Sequence, residues 1–138
     1  MSFVGKVVLI TGASSGIGAA TAVHLSHLGA SLTLHGRNVQ NLQKVAEQCK
    51  DPKPYIVTGE MTNETDVKNL LESTIKKFGK LDVLVNNAGT LESGGIENTS
   101  LEQYDRYFSF LYYEHFKIFY YYKYFKMFTE SILHDKTY

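Results

Sequence analysis

The feature that most constrains this chain is a glycine-rich segment that directly follows a short apolar run. Residues 7–10 read VVLI and residues 11–18 read TGASSGIG. A buried strand, spaced glycines and then a helical pattern are typical of a turn that binds the phosphates of a dinucleotide. On this interpretation Gly12 turns the chain off the strand, Gly16 lets the backbone approach a pyrophosphate, and Gly18 lets the next helix pack closely.

Spaced glycines alone also fit an ordinary strand-to-helix turn, so the surrounding pattern has to decide between the two interpretations. A strand precedes the glycines, a helical pattern follows them, and a second strand ends about 20 residues further on, where such folds contact the ribose. We therefore predict that the turn binds a cofactor. The residues predicted to do so are Gly12, Ser14, Ser15, Gly16, Ile17 and Gly18.

Composition excludes several other classes of protein. The 138 residues are 43% hydrophobic, which is enough for a core, and the 14 basic and 14 acidic residues balance, so bulk charge favours no nucleic-acid partner. A single cysteine, Cys49, rules out an internal disulfide and is interpreted as a core residue. With no signal-like or membrane-spanning apolar stretch, we expect a cytoplasmic protein. No metal site is predicted.

Strand-like and helix-like segments alternate along the chain. Strands are predicted at residues 4–10, 31–35, 55–57 and 81–85. The helix at 17–28 carries apolar Ile17, Ala20, Leu25 and Leu28, the next is capped by Asn38, and the third ends at Gly79. This alternation, with short links, predicts an α/β fold with a parallel sheet and right-handed crossovers.

A second motif follows the fourth predicted strand. Residues 78–85 read FGKLDVLV and lead into NNAG at residues 86–89, at the strand end where parallel sheets bind ligands. Asn and Gly are also ordinary turn formers. Together with TGASSGIG, however, these motifs make the chain resemble the classical short-chain dehydrogenase/reductase family over roughly residues 3–109. The resemblance implies a three-layer Rossmann-type sheet, which in this chain is truncated after the fourth parallel strand. It also implies a nicotinamide cofactor and an oxidoreductase acting on a carbonyl or alcohol.

The end of the second strand indicates which nicotinamide cofactor is preferred. An Asp or Glu there would accept hydrogen bonds from a ribose 2′-hydroxyl and repel a 2′-phosphate. Residues 34–38 read LHGRN, without a carboxylate, and Arg37 offers a guanidinium to a phosphate. We therefore predict NADP rather than NAD, with a solvated Arg37 at a helix start as the alternative.

The resemblance also implies the remaining cofactor-binding residues. Glu60 and Met61 fall at the positions where family members place an acidic or amide residue and a small apolar residue beside the adenine. Glu60 is longer than the family's usual Asp. Asn87, Ala88 and Gly89 would line the ribose side, and Asn86 would tie the sheet together.

The resemblance weakens towards the C-terminus, which divides the chain into a cofactor-binding half-domain, residues 1–109, and an atypical tail, residues 110–138. Of the 18 aromatic residues, 14 lie between Tyr104 and Phe128, and no glycine follows residue 106. Such a composition fits translation of AT-rich sequence, for example a retained intron or a shifted frame. The tail is expected to be helical or disordered. A helix that precedes it is expected to be capped by Thr99 with Glu102.

The family's catalytic Ser, Tyr-x-x-x-Lys and helix Asn have no counterpart in a credible context. Leu111 stands near the position of the Asn. Two Tyr-x-x-x-Lys matches, Tyr113 with Lys117 and Tyr122 with Lys126, and a preceding Ser109 are interpreted as chance in a Tyr- and Lys-rich segment. No catalytic residue is predicted.

Three functions remain open. The first is an NADP-dependent oxidoreductase that transfers hydride to or from a carbonyl or alcohol substrate, which requires a full-length form. The second is a truncated, inactive cofactor-binding fragment, and the third is an unstable product without function. The resemblance implies a homo-oligomer, since family members usually assemble in this way.

Overall fold

A computed structural model describes residues 1–89, 96–109, 117–121 and 123. The chain divides into two compact units, Met1–Thr90 and Leu91–Tyr138. The first contains four strands, β1 (Val7–Thr11), β2 (Ser31–Gly36), β3 (Tyr55–Thr58) and β4 (Val83–Val85), and three helices, α1 (Gly16–His27), α2 (Val39–Gln48) and α3 (Glu64–Phe78). The second contains a short 3-10 helix, Ile96–Asn98, and helix α4 (Leu101–Phe108).

The strands form a parallel sheet in the order β3-β2-β1-β4. Strand residues alternate between the two faces: Leu32 and Leu34 join the cluster that includes Ala22 of α1 and Leu42 of α2. On the opposite face, the hydroxyls of Thr33 and of Thr74 in α3 lie 3.1 Å apart. Helices therefore cover both faces, and the predicted three-layer α/β fold is confirmed.

Helix ends follow local chemistry. Asn38 caps α2 by accepting the Asn41 N–H at 2.9 Å, as predicted. Gly79 ends α3 in the left-handed conformation, with φ of 78°, which only glycine adopts without strain. Cys49 is buried, in agreement with its interpretation as a core residue, and burial raises the pKa of its thiol.

Two local predictions are wrong. Residues 4–6 precede β1 because Gly5 has φ of 75° and turns the chain, which leaves Val4 exposed. Ser100 rather than Thr99 caps α4, because its side chain accepts the Gln103 N–H at 3.1 Å.

Candidate cofactor site

The glycine turn is closed by backbone packing that excludes side chains. Gly12 has φ of 64°, and a Cβ there would lie 2.7 Å from the Cα of Ala88. A Cβ at Gly18 would lie 2.3 Å from the carbonyl oxygen of Gly12 and 2.5 Å from Nδ2 of Asn87. All three distances are far below van der Waals contact, so the sequence needs glycine at both positions to form this turn.

Gly16 differs from these two glycines because it faces open space. Its φ is 55°, and apart from its own chain neighbours and helix backbone, no heavy atom of the described residues lies within 4 Å of where a Cβ would stand. Ser15 is the N-cap of α1 in extended conformation, yet its side chain makes no capping hydrogen bond. Among the described residues, nothing accepts the N–H groups of Gly16, Ile17 or Gly18. The start of α1 therefore presents unpaired donors and the positive end of the helix dipole.

Thr11 and Asn87 join the ends of β1 and β4. The Thr11 hydroxyl oxygen accepts the N–H groups of Asn87 and Ala88 at 3.1 and 3.0 Å. Nδ2 of Asn87 donates to the carbonyls of Thr11 and Gly12 at 3.1 and 3.0 Å. The prediction that Asn86 ties the sheet is thus wrong, since Asn86 is exposed and Asn87 makes these contacts. Sequence reasoning also missed Thr11, although its place inside the motif was a usable signal.

The end of β2 lies against the glycine turn. The Ala13 N–H donates to the His35 carbonyl at 2.9 Å, and a Cβ at Gly36 would lie 3.4 Å from the Ser14 side chain. Arg37 follows immediately, and its side chain is exposed and forms no ion pair with a described residue. The first two strands therefore bring Ser14 and the backbone next to Arg37 close together.

The segment after β3 completes this edge of the sheet. The Gly59 N–H donates to the Gly36 carbonyl at 3.2 Å, which holds residues 58–60 beside the end of β2. Glu60 is exposed and Met61 is buried, with 5% of its surface accessible. Beyond β4, Ala88 is partly buried and Gly89 is exposed. The structure thus brings the ends of all four strands to one edge.

Comparison with known proteins decides the family. A family model described as short chain dehydrogenase matches residues 6–118. The chain belongs to this family.

Relatives of this short-chain dehydrogenase chain are longer than it is. An uncharacterized oxidoreductase of Staphylococcus epidermidis is 42% identical over 100 residues, which cover 72% of this chain. The chain spans only 43% of the length of that relative. The match with the family model ends at residue 118, beyond the boundary at residue 109 that the sequence predicts, and that boundary stays a prediction.

Two solved structures carry different cofactors. L-sorbose reductase from Gluconobacter frateurii, complexed with NADPH and L-sorbose, is 33% identical, with a TM-score of 0.77 over 86% of this chain and 46% of that chain. A 3-ketoacyl-(acyl-carrier-protein) reductase from Brucella melitensis, complexed with NADH, is also 33% identical, with a TM-score of 0.77 over 85% and 48%. Short-chain dehydrogenase folds like this one therefore accommodate both nicotinamide cofactors.

The site as a whole fits a dinucleotide. The helix N–H groups without an acceptor among the described residues and the open Gly16 suit a pyrophosphate. The exposed guanidinium of Arg37, which forms no ion pair with those residues, suits a further phosphate. Ile17 has 79% of its surface exposed at the same turn, so its apolar side chain is available to pack against a flat ring of the dinucleotide. When bound, a nicotinamide cofactor would supply a hydride; the residues described here would bind and orient it.

One buried polar residue beside the site was not predicted. His35 has 2% of its surface accessible, and neither ring nitrogen has a hydrogen-bond partner among the described residues. Burial lowers the pKa of His35 to about 4, and the nearby negative charge of Asp66 opposes this shift. The alternation of β2 was a usable signal, because Thr33 two residues earlier lies on the same buried face.

Most of the residues that the sequence weighed as catalytic candidates lie outside the described residues, namely Leu111, Tyr113, Tyr122 and Lys126. Lys117 is helical and partly buried, and Ser109 directly follows α4. Within the part of the chain that is described, no helix has the length and apolar character needed to cross a membrane.

Proposed function

We propose that this chain binds NADP(H) at the carboxyl edge of its sheet, as the cofactor-binding part of an oxidoreductase. The observation that carries this proposal is Arg37, which is exposed and without an ion-pair partner among the described residues. It stands at the end of β2, where no carboxylate would accept a ribose 2′-hydroxyl, and Ser14 lies against the adjacent Gly36. A guanidinium in this place favours a 2′-phosphate.

The other predicted residues would each contact a different part of the cofactor. The N-terminus of α1, with Ser15, Gly16, Ile17 and Gly18, would hold the pyrophosphate, because its N–H groups have no other acceptor among the described residues. Glu60 and Met61 would flank the adenine, and Asn87, Ala88 and Gly89 the ribose. Gly12 would act by allowing the close approach of the backbone to Ala88.

Hydride transfer between NADP(H) and a carbonyl or alcohol is proposed as the activity of the whole protein. The alternative, cofactor binding without turnover, is favoured for this chain by Leu111, which stands where the family's helix Asn is expected. Homo-oligomers and a cytoplasmic location stay predictions from the sequence.

Titration of the purified chain with NADPH and NADH tests this proposal. The chain has no tryptophan, so fluorescence of the reduced nicotinamide can be followed without overlap from indole emission. We expect NADPH to bind at least about tenfold more tightly than NADH, the equivalent of one charge-assisted contact. Tighter NADH binding would contradict the NADP assignment, and binding of neither would contradict the cofactor site. A panel of ketones then separates binding from turnover.

A further inference from the structure

The segment between β3 and α3 is held by a carboxylate that comes from the helix. Oδ2 of Asp66 accepts the Glu60 N–H at 2.8 Å. The Asp66 N–H is itself bonded to Oδ1 of Asn63 at 3.1 Å, so the N-cap of α3 fixes the residue that carries this carboxylate. Asp66 therefore links the first turn of α3 to the chain that leaves β3.

This contact departs from the usual capping box. In that motif the acidic side chain at the third helical position bonds back to the N–H of the N-cap residue. Here the Asn63 N–H donates to the Glu60 carbonyl at 3.1 Å, which leaves the carboxylate of Asp66 available for the Glu60 N–H. The side chain thus reaches past the cap to the residue predicted to lie beside the adenine.

Gly59 lets this link form. A Cβ at Gly59 would lie 3.0 Å from the Cβ of Asp66 and 3.1 Å from its Cγ, which is tighter than ordinary contact. Because the Gly59 N–H also bonds the Gly36 carbonyl, Asp66 and the end of β2 hold residues 59 and 60 from two directions.

We propose that Asp66 is a positioning residue for the adenine side of the cofactor: it fixes the backbone of Gly59 and Glu60 and so sets where Glu60 and Met61 stand. Asp66 does not touch the cofactor in this proposal. The inference rests on the proposed NADP(H) site and adds a residue that no sequence motif indicated.

The experiment compares two halves of the cofactor on the full chain. Adenosine 2′,5′-bisphosphate probes the adenine side, and reduced nicotinamide mononucleotide probes the opposite side. We expect Asp66→Ala to weaken binding of the bisphosphate about tenfold, as for loss of one hydrogen bond to a charged group. Asp66→Asn keeps an oxygen acceptor and should recover most of the affinity, whereas mononucleotide binding should not change in either variant.

Glu64→Ala is the matched control. It removes a carboxylate from the same turn of α3, where Glu64 pairs with Lys68 at 3.1 Å, so bisphosphate binding should stay within twofold. If Asp66→Ala does not fold, Gly59→Ala tests the same link, because its methyl group displaces the loop from Asp66.

The outcomes separate this inference from the proposed function. Failure of the unaltered chain to bind NADPH and the bisphosphate overturns both. Normal bisphosphate binding by folded Asp66→Ala, or by Gly59→Ala, overturns only the role of Asp66. Equal weakening of both probes, or equal loss in Asp66→Asn and Asp66→Ala, also overturns it.

Discussion

Helices α3 and α4 have similar sequence character but very different burial. Each is amphipathic and begins at a side-chain cap, Asn63 in α3 and Ser100 in α4. Helix α3 buries Val67, Leu70, Leu71 and Thr74, whereas α4 has no buried residue. Leu101 and Tyr104 have 80% and 55% of their surfaces exposed. An apolar stripe thus predicts a helix and a face, but whether that face is buried depends on other parts of the chain.

The largest expected effect tests this difference directly. Leu70→Ala removes a fully buried side chain and should lower the free energy of unfolding by about 3 kcal/mol. Tyr104→Ala in α4 should cost less than about 0.5 kcal/mol, because half of that ring is already in water. Denaturant titration followed by circular dichroism measures both values. Similar losses in the two variants would show that α4 packs as α3 does.

The next prediction concerns the free-energy cost of burying His35 in the first unit. Since the folded-state pKa of His35 is about 4 and lies below its ordinary value near 6.5, the unfolded chain binds the proton more readily. The stabilising effect of neutral His35 is present above about pH 6.5 and is lost as the pH falls towards 4. The loss amounts to about 3 kcal/mol.

Unfolding titrations of the unaltered chain and of His35→Leu between pH 4 and pH 7 isolate this effect from the carboxylates, which both chains share. The variant should lose about 3 kcal/mol less across that range. Parallel pH profiles would mean that His35 is hydrated or partnered in solution.

The sequence predicted what depends on local chemistry. The alternation of strands and helices, the Asn38 cap and the Gly79 stop follow from apolar spacing and turn propensity, and the structure agrees. Two failures are themselves local, namely the turn at Gly5 and the Ser100 cap. The assignment of Asn86 failed for a different reason: nothing local distinguishes Asn86 from Asn87, since their roles depend on which amide meets Thr11, 76 residues earlier.

A third prediction addresses that long-range contact. Thr11→Val keeps the shape of the side chain but leaves the N–H groups of Asn87 and Ala88 without their acceptor. We expect a loss of about 2 kcal/mol in unfolding free energy, since partly buried donors that lose their acceptor are costly. Thr21→Val is the matched control: the exposed Thr21 hydroxyl donates to the Ile17 carbonyl of its own helix and joins no second strand, so the change should be small. Equal effects would mean that the Thr11 contacts do not join β1 to β4.

The smallest predicted change in free energy compares the two units. Each unit contains one of the chain's two arginines. Arg37→Ala should weaken NADPH binding about tenfold and leave NADH binding and the melting temperature unchanged, since the exposed guanidinium is proposed to bind the 2′-phosphate and forms no ion pair with a described residue. Arg106→Ala, in α4, removes the same charge from the second unit and should leave NADPH affinity unchanged. Fluorescence titration with both cofactors measures these constants. If Arg106→Ala weakened NADPH binding as much as Arg37→Ala, overall charge rather than a phosphate site at β2 would explain the affinity, and the assignment of cofactor recognition to the first unit would fail.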